Sequence, residues 1–342
     1  MLSRVAEAIY WMGRYVERAE NVARFVDVAL QLAIDLPSEE QWEALVATTG
    51  DGADFAARYG EATKGRVLAF LAFDGQNPNS IVSCVRSARE NARSVREIIS
   101  SEMWEQLNRA YLTVTDEGAE RLARDAPHEF FTEVKLASHL FVGTTYLTMT
   151  HNEAWHFARL GRVLERADKT SRILDVKYFL LLPEPSYVGS AVDEVQWAAV
   201  LRSASAFEMY RKARGRIDPH GVVDFLLRDE LFPRSVRRCL GNAMGSLRTI
   251  QGRTATLTPA ERELGRAHAL VQYADTAEVL AGGLHEYTDR LQTAMNRAGQ
   301  AIHETFFAAH PEDESAPPPS APPSGLPPAP PSAPPSGYVP EE

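Results

Sequence analysis

Cysteine is nearly absent from this chain: Cys84 and Cys239 are the only two in 342 residues. A disulfide framework or a cysteine-rich zinc site needs more, so neither organises the fold, and a reducing cytoplasm is the expected setting. Long apolar runs are also missing. The richest cluster, Tyr178-Phe179-Leu180-Leu181-Leu182, stops at Pro183, well short of the roughly 20 residues that span a bilayer. No secretion signal is read at the start, because Arg14, Glu17 and Arg18 interrupt the early apolar positions. Basic charge is in deficit, with a formal net charge of −10, which argues against a general nucleic-acid binder. Glycine-rich phosphate loops, nucleophile elbows and HExxH words do not occur. His151 and His156 flank Glu153 but have no convergent further ligand, so neither metal nor cofactor is expected. Alternating β-branched runs are lacking as well, which excludes a substantial sheet.

What the chain does contain, it contains twice. Gly13-Arg14 through Asp27-Val28 returns as Gly161-Arg162 through Asp175-Val176, with Glu17-Arg18-Ala19 matched by Glu165-Arg166-Ala167. Arg24 matches Arg172, and Glu20 becomes Asp168. Phe70-Leu71, Asp74, Pro78, Ser80 and Cys84 recur as Phe225-Leu226, Asp229, Pro233, Ser235 and Cys239. Between these blocks Gln41-Trp42 recurs as Gln196-Trp197. The same order at similar spacing points to an internal duplication, with repeats over about 1–150 and 151–310. The paired cysteines then read as equivalent buried helix positions rather than as a bridge.

Helical periodicity dominates. Ile9, Met12, Val16, Ala19, Ala23, Val26 and Leu30 share one arc, and Glu7, Tyr10, Arg14, Glu17, Asn21 and Arg24 take the other. Pro37 closes this helix, and Ser38 suits the N-cap of a helix through Gln41, Trp42 and Leu45. Pro78 and Pro233 suit the first turns of two further helices. Long helical patterns cover Glu102–Ala110, Glu129–Thr148 and Pro259–Phe307. The expected fold is all-α, a helical bundle of two pseudo-repeats sharing one core over 1–310. Residues 311–342 are rich in Pro, Ser and Ala and cannot bury enough apolar surface to fold, so a disordered tail is expected there.

Two charged faces are the candidate sites. Arg14, Glu17, Glu20 and Asn21 lie on the first helix, where Arg14–Glu17 and Glu20–Arg24 spacings favour ion pairs. Charged identities return in the second copy while apolar neighbours drift. That pattern fits a buried Arg/Glu network between the copies, or a guanidinium site for a carboxylate or phosphate. The second face is asymmetric. Arg86-Ser87-Ala88-Arg89-Glu90-Asn91-Ala92-Arg93 faces an uncharged counterpart, Gly241 to Leu247. Arg89, Glu90, Asn91 and Arg93 are therefore candidates for contact with a ligand or partner, with Glu102 in the acidic first turn that follows Ser101.

The opening from Met1 to Asn21 resembles the start of the bacterial alpha-E family. So do Ala88-Arg89-Glu90-Asn91-Ala92-Arg93, Ser101-Glu102-Met103-Trp104-Glu105, Leu160-Gly161-Arg162 with Glu165-Arg166-Ala167-Asp168, and Phe232-Pro233-Arg234-Ser235-Val236. The resemblance runs from Met1 to about Phe307 and leaves the proline-rich tail outside. It implies an α-helical protein encoded beside, or fused to, a circularly permuted ATP-grasp protein, often near a transglutaminase-like protein. An accessory role in ATP-dependent amide-bond formation or peptide modification follows as the implied function. The alternatives are an independent enzyme, with Glu17, Glu90 or Glu102 as general acid/base beside arginines holding an anion, and a structural helical scaffold.

Overall fold

The computed structural model describes residues 1–35, 40–179, 190–252 and 256–308. The tail from 311, the Ser38 cap and the apolar residues 180–182 lie outside the described residues. Within them the chain forms sixteen α-helices and one π-helical turn, with no strand. Two long helices, α1 (Ser3–Asp35) and α9 (Glu153–Phe179), form the axis of the fold. α1 is flanked by α5 (Ile81–Ser94) and α8 (Pro127–Thr148), and α9 by α13 (Val236–Gln251) and α16 (Leu284–Phe306). α6 (Ser101–Thr115) bridges α5 and α8, as α14 (Pro259–Gln272) bridges α13 and α16. The shorter α2 (Glu40–Thr49) and α10 (Ala191–Ser203) each touch both long helices. One continuous hydrophobic core runs from Ala6 to Phe307.

Glycine sets how closely α1 and α9 approach. A Cβ placed on Gly13 would fall on the Ala158 carbonyl, and one on Gly161 would fall on the Tyr10 carbonyl. The two contacts are reciprocal, backbone against backbone. Because α1 is enclosed from both sides, both of its arcs are buried: Ile9, Met12 and Val26 on one, Tyr10, Glu17 and Asn21 on the other. Periodicity alone suggests a helix with a wet charged side, whereas here that side faces α9.

Other local readings are adjusted for identifiable reasons. Pro78 and Pro233 precede their helices rather than entering them; Ser80 and Ser235 cap α5 and α13 by accepting the amides of Ser83 and Arg238. Each cap hydroxyl also donates to a carbonyl six residues back, that of Asp74 or Asp229. Cys84 and Cys239 are each the fourth residue of their helix, and each thiol points at the carbonyl of the preceding proline. The Pro259–Phe307 pattern is broken into α14, α15 (Thr276–Ala281) and α16. Asp275 caps α15, and Gly283 adopts φ 97°, a left-handed conformation that glycine tolerates and other residues resist.

Replacing Gly161 with alanine tests the helix contact. Alanine is the better helix former by about 1 kcal/mol, yet overpacking is expected to win, with a loss of at least about 2 kcal/mol in urea denaturation. Gly143→Ala in α8, where an added Cβ meets nothing within 4 Å, is the control and should not destabilise.

Candidate functional site

Between α1 and α9 lie two buried carboxylates, each held by arginines reaching across from the other helix. Glu165, 0% exposed, accepts from Arg14 Nε at 2.8 Å and from Arg18 Nε and Nη2 at 2.6 and 3.1 Å, with Lys169 Nζ at 3.6 Å. Arg18 also donates to Asn79 at 2.7 Å. Glu17, 1% exposed, accepts from Arg166 Nε and Nη2, both at 2.7 Å, and from Arg234 Nη1 at 3.1 Å. Asn21 donates to Glu17 at 3.2 Å and accepts from Arg234. Arg234 extends the network by a fork onto both oxygens of Glu20, at 2.8 Å each, and Arg24 closes on the same carboxylate.

The two clusters reach similar charge by different residues. Around Glu165 the lesser cation is Lys169, and the loop before α5 supplies neutral Asn79. Around Glu17 the position matching Lys169 is Asn21, and the loop before α13 supplies Arg234. A lysine on the long helix is exchanged for an arginine on the cap loop. One difference remains: Arg14 donates to Glu165, while its counterpart Arg162 makes no hydrogen bond or ion pair among the described residues.

Electrostatics hold these acids ionised. Burial alone would raise Glu165, but Arg18, Arg14 and Lys169 keep it well below the usual carboxylate range. Burial likewise opposes, and Arg166 with Arg234 overcomes it, to lower Glu17. Glu20 is also held low, against burial, by Arg234, His139 and Arg24. Asp168 is lowered by Lys169 and Arg172 in the same way. These carboxylates are fixed anions with their lone pairs occupied, a state suited to locking two helices and unsuited to donating a proton at neutral pH. Burial pushes the Cys84 and Cys239 thiols up to about 12, which keeps them unreactive.

The expected site residues thus separate into two places. Arg14, Glu17, Glu20 and Asn21 belong to the buried network, and Arg14 pairs with Glu165 rather than with Glu17. Arg89, Glu90 and Arg93 form a different, outward cluster on α5. Arg89 is fixed there by Asn108 and stacks over Trp104 and Tyr111, whereas Arg93 is 66% exposed. Asn91 is partly buried beside them, and Glu102 is exposed in the first turn of α6, one residue past the Ser101 start; the cap itself is Ser100. Counting on from the paired cysteines, Arg248 stands where Arg93 does, so the contrast with the uncharged segment is carried by Arg86, Arg89 and Glu90. Sequence reading named neither Arg234 nor Glu165 and Arg166 as site residues. Their signal was present in the Phe-Pro-Arg-Ser word and in the doubled Glu-Arg-Ala.

A separate apolar cleft of about 290 Å³ opens between α1, α5, α6 and α8, lined by Val85, Leu107, Val134 and Phe141, with exposed Leu136 and Leu140 at its rim. Arg109 and Glu133 also border it.

Two outcomes test the network. Since the folded-state carboxylates titrate below their ordinary value near 4.5, their stabilisation is complete above that value and is lost as pH falls through the depressed range. Melting temperature should be level from neutral to about pH 5 and fall steeply below it. Arg234→Asn should cost about 3–5 kcal/mol by stranding buried carboxylate charge. Adding Asn21→Lys, which copies the arrangement at Glu165, should recover a substantial part in denaturant titrations.

Comparison with known proteins places this geometry in context. The chain is 25% identical over 328 residues to an uncharacterised protein of Mycobacterium bovis, Mb2597, covering 89% of this chain and 36% of that protein. The same identity and coverage hold for the uncharacterised protein Rv2567 of Mycobacterium tuberculosis. The chain therefore spans little more than a third of the length of these relatives. No solved structure matches. Alpha-E, described as a predicted alpha-helical domain with a conserved ER motif, matches residues 1–307. Glu17-Arg18 and Glu165-Arg166, whose cross-helix bonds form the buried network, are two of the Glu-Arg pairs in the matched region, and the chain belongs to the Alpha-E family.

Proposed function

We propose that this protein is the helical partner subunit of an ATP-grasp ligase system that forms amide bonds or modifies peptides. The observation that carries the reading is the relatives' length: the matched region is 36% of each, so there this helical domain is joined to a much longer chain. A helical domain that forms one part of such a longer protein is suited to docking against the other parts. The buried Glu17 and Glu165 clusters give it a rigid axis, and the docking contacts fall to exposed groups. Arg89, Glu90 and Arg93 on α5 supply them, with Trp104 and Tyr111 holding Arg89 in place. The sibling stretch Gly241 to Leu247 packs without charge, so helix packing at the positions of Arg86, Arg89 and Glu90 does not require charge, while Arg93 is matched by Arg248. Duplication of an ancestral helical unit accounts for the doubled words, and divergence of one copy accounts for this face. Among the described residues no helix is long and apolar enough to cross a membrane.

The test is co-purification with an ATP-grasp protein from the same organism, followed by mass spectrometry of what the pair makes from ATP and amino acids. Arg89→Gln with Arg93→Gln should keep helicity, because glutamine is a good helix former. Complex formation should weaken by roughly 1.5–3 kcal/mol for each charged hydrogen bond lost. A complex that survives this variant, but is lost on charging the apolar cleft with Leu136→Glu and Leu140→Glu, would move the docking face to α8. No complex with the wild-type chain would reject the partner role.

A further inference from the structure

Arg162 is the one member of the doubled Arg and Glu words left without a counter-charge. Its match, Arg14, donates to Glu165, but the corresponding carboxylate, Glu17, is already filled by Arg166 and Arg234. Among the described residues Arg162 has no hydrogen bond or ion pair, and it is half-buried. It borders a cleft formed by α1, α8 and α9, and Arg159, one turn earlier, borders the same cleft. Arg159 is anchored only by neutral groups, the carbonyl and side-chain oxygens of Asn242 and the Ser246 hydroxyl, and it lies over the Trp155 ring. Two guanidinium groups thus share one cleft, and neither has a carboxylate.

We propose that this cleft binds the carboxylate of a small ligand between Arg159 and Arg162, with the ligand's apolar body against Trp155, Tyr146 and Phe141. Guanidinium forks match a planar carboxylate, and both arginines are half-buried and so remain open to a ligand that supplies the missing pairing. The free space beside the arginines is about 20 Å³, room for about one water-sized atom such as a single carboxylate oxygen, so the rest of the ligand lies at the open mouth. The walls beyond it are aromatic, with Phe141 buried and Tyr146 61% exposed at the mouth. Burial, then Arg166, pushes Arg162 down to about 10, against the opposing pull of Glu17, so its side chain is still cationic at neutral pH. The site is independent of the docking face, and its failure would leave the partner role standing.

Isothermal titration of the full chain with phenylacetate, acetate and inorganic phosphate, at fixed ionic strength with chloride as background, tests the proposal. Phenylacetate should bind more tightly than acetate, neutral benzyl alcohol should not bind, and Arg162→Gln should weaken phenylacetate by about tenfold or more. The variant should melt at or above the wild-type temperature, since no partner is stranded. Arg162→Lys should bind at an intermediate level, keeping the charge and losing the fork. Failure of wild type to bind phenylacetate, unchanged binding in Arg162→Gln, or preference for phosphate over both carboxylates would each overturn the proposal. So would a sharp drop in the melting temperature of Arg162→Gln, which would reveal a structural partner.

Discussion

Everything in this bundle depends on the close contact of α1 with α9. Gly13 and Gly161 let the backbones meet, and that approach brings Glu17 and Glu165 within reach of arginines on the opposite helix. A wider spacing would leave these carboxylates buried without partners, at a cost that no nearby packing could offset. The glycines and the charges are therefore one device. Close approach makes the ion pairs possible, and the ion pairs, being directional, fix rotation and register where apolar packing alone would tolerate sliding.

The network also shows how two related environments stay balanced while their residues change. Asn21 with Arg234 on one side does the work of Lys169 with Asn79 on the other. The exchange concerns side chains that lie in different elements, so neither position can be understood by itself. Arg162 is the remainder of that exchange, a cation whose expected carboxylate is occupied.

For function, the consequence is a division of labour within the molecule. Residues that looked reactive, Glu17 above all, are held ionised and saturated by arginines, so they serve geometry. More accessible charged groups lie elsewhere: Arg93 and Glu90, paired with each other on the outer face of α5, and Arg159 with Arg162 in the cleft beside α8.

The sequence by itself determined the helical class, the doubled Gly-Arg and Glu-Arg words and the equivalent placement of Cys84 and Cys239. These follow from local rules: periodicity, capping chemistry and the return of the same residues in the same order. Boundaries slipped where a local rule had rivals, as at Gly283, where a left-handed glycine divides a pattern that reads as one helix. Only the tertiary structure decided who pairs with whom. Arg14 has Glu17 one turn away and Glu165 across the helix contact, and it takes Glu165 because the packed interface orients it there. Arg234 could be connected to Glu17 and Glu20 only by folding, since hundreds of residues separate them in sequence while the cap loop before α13 brings them to 3.1 and 2.8 Å. Ion pairing depends on distance in space, and sequence spacing reports that distance only within a single helix.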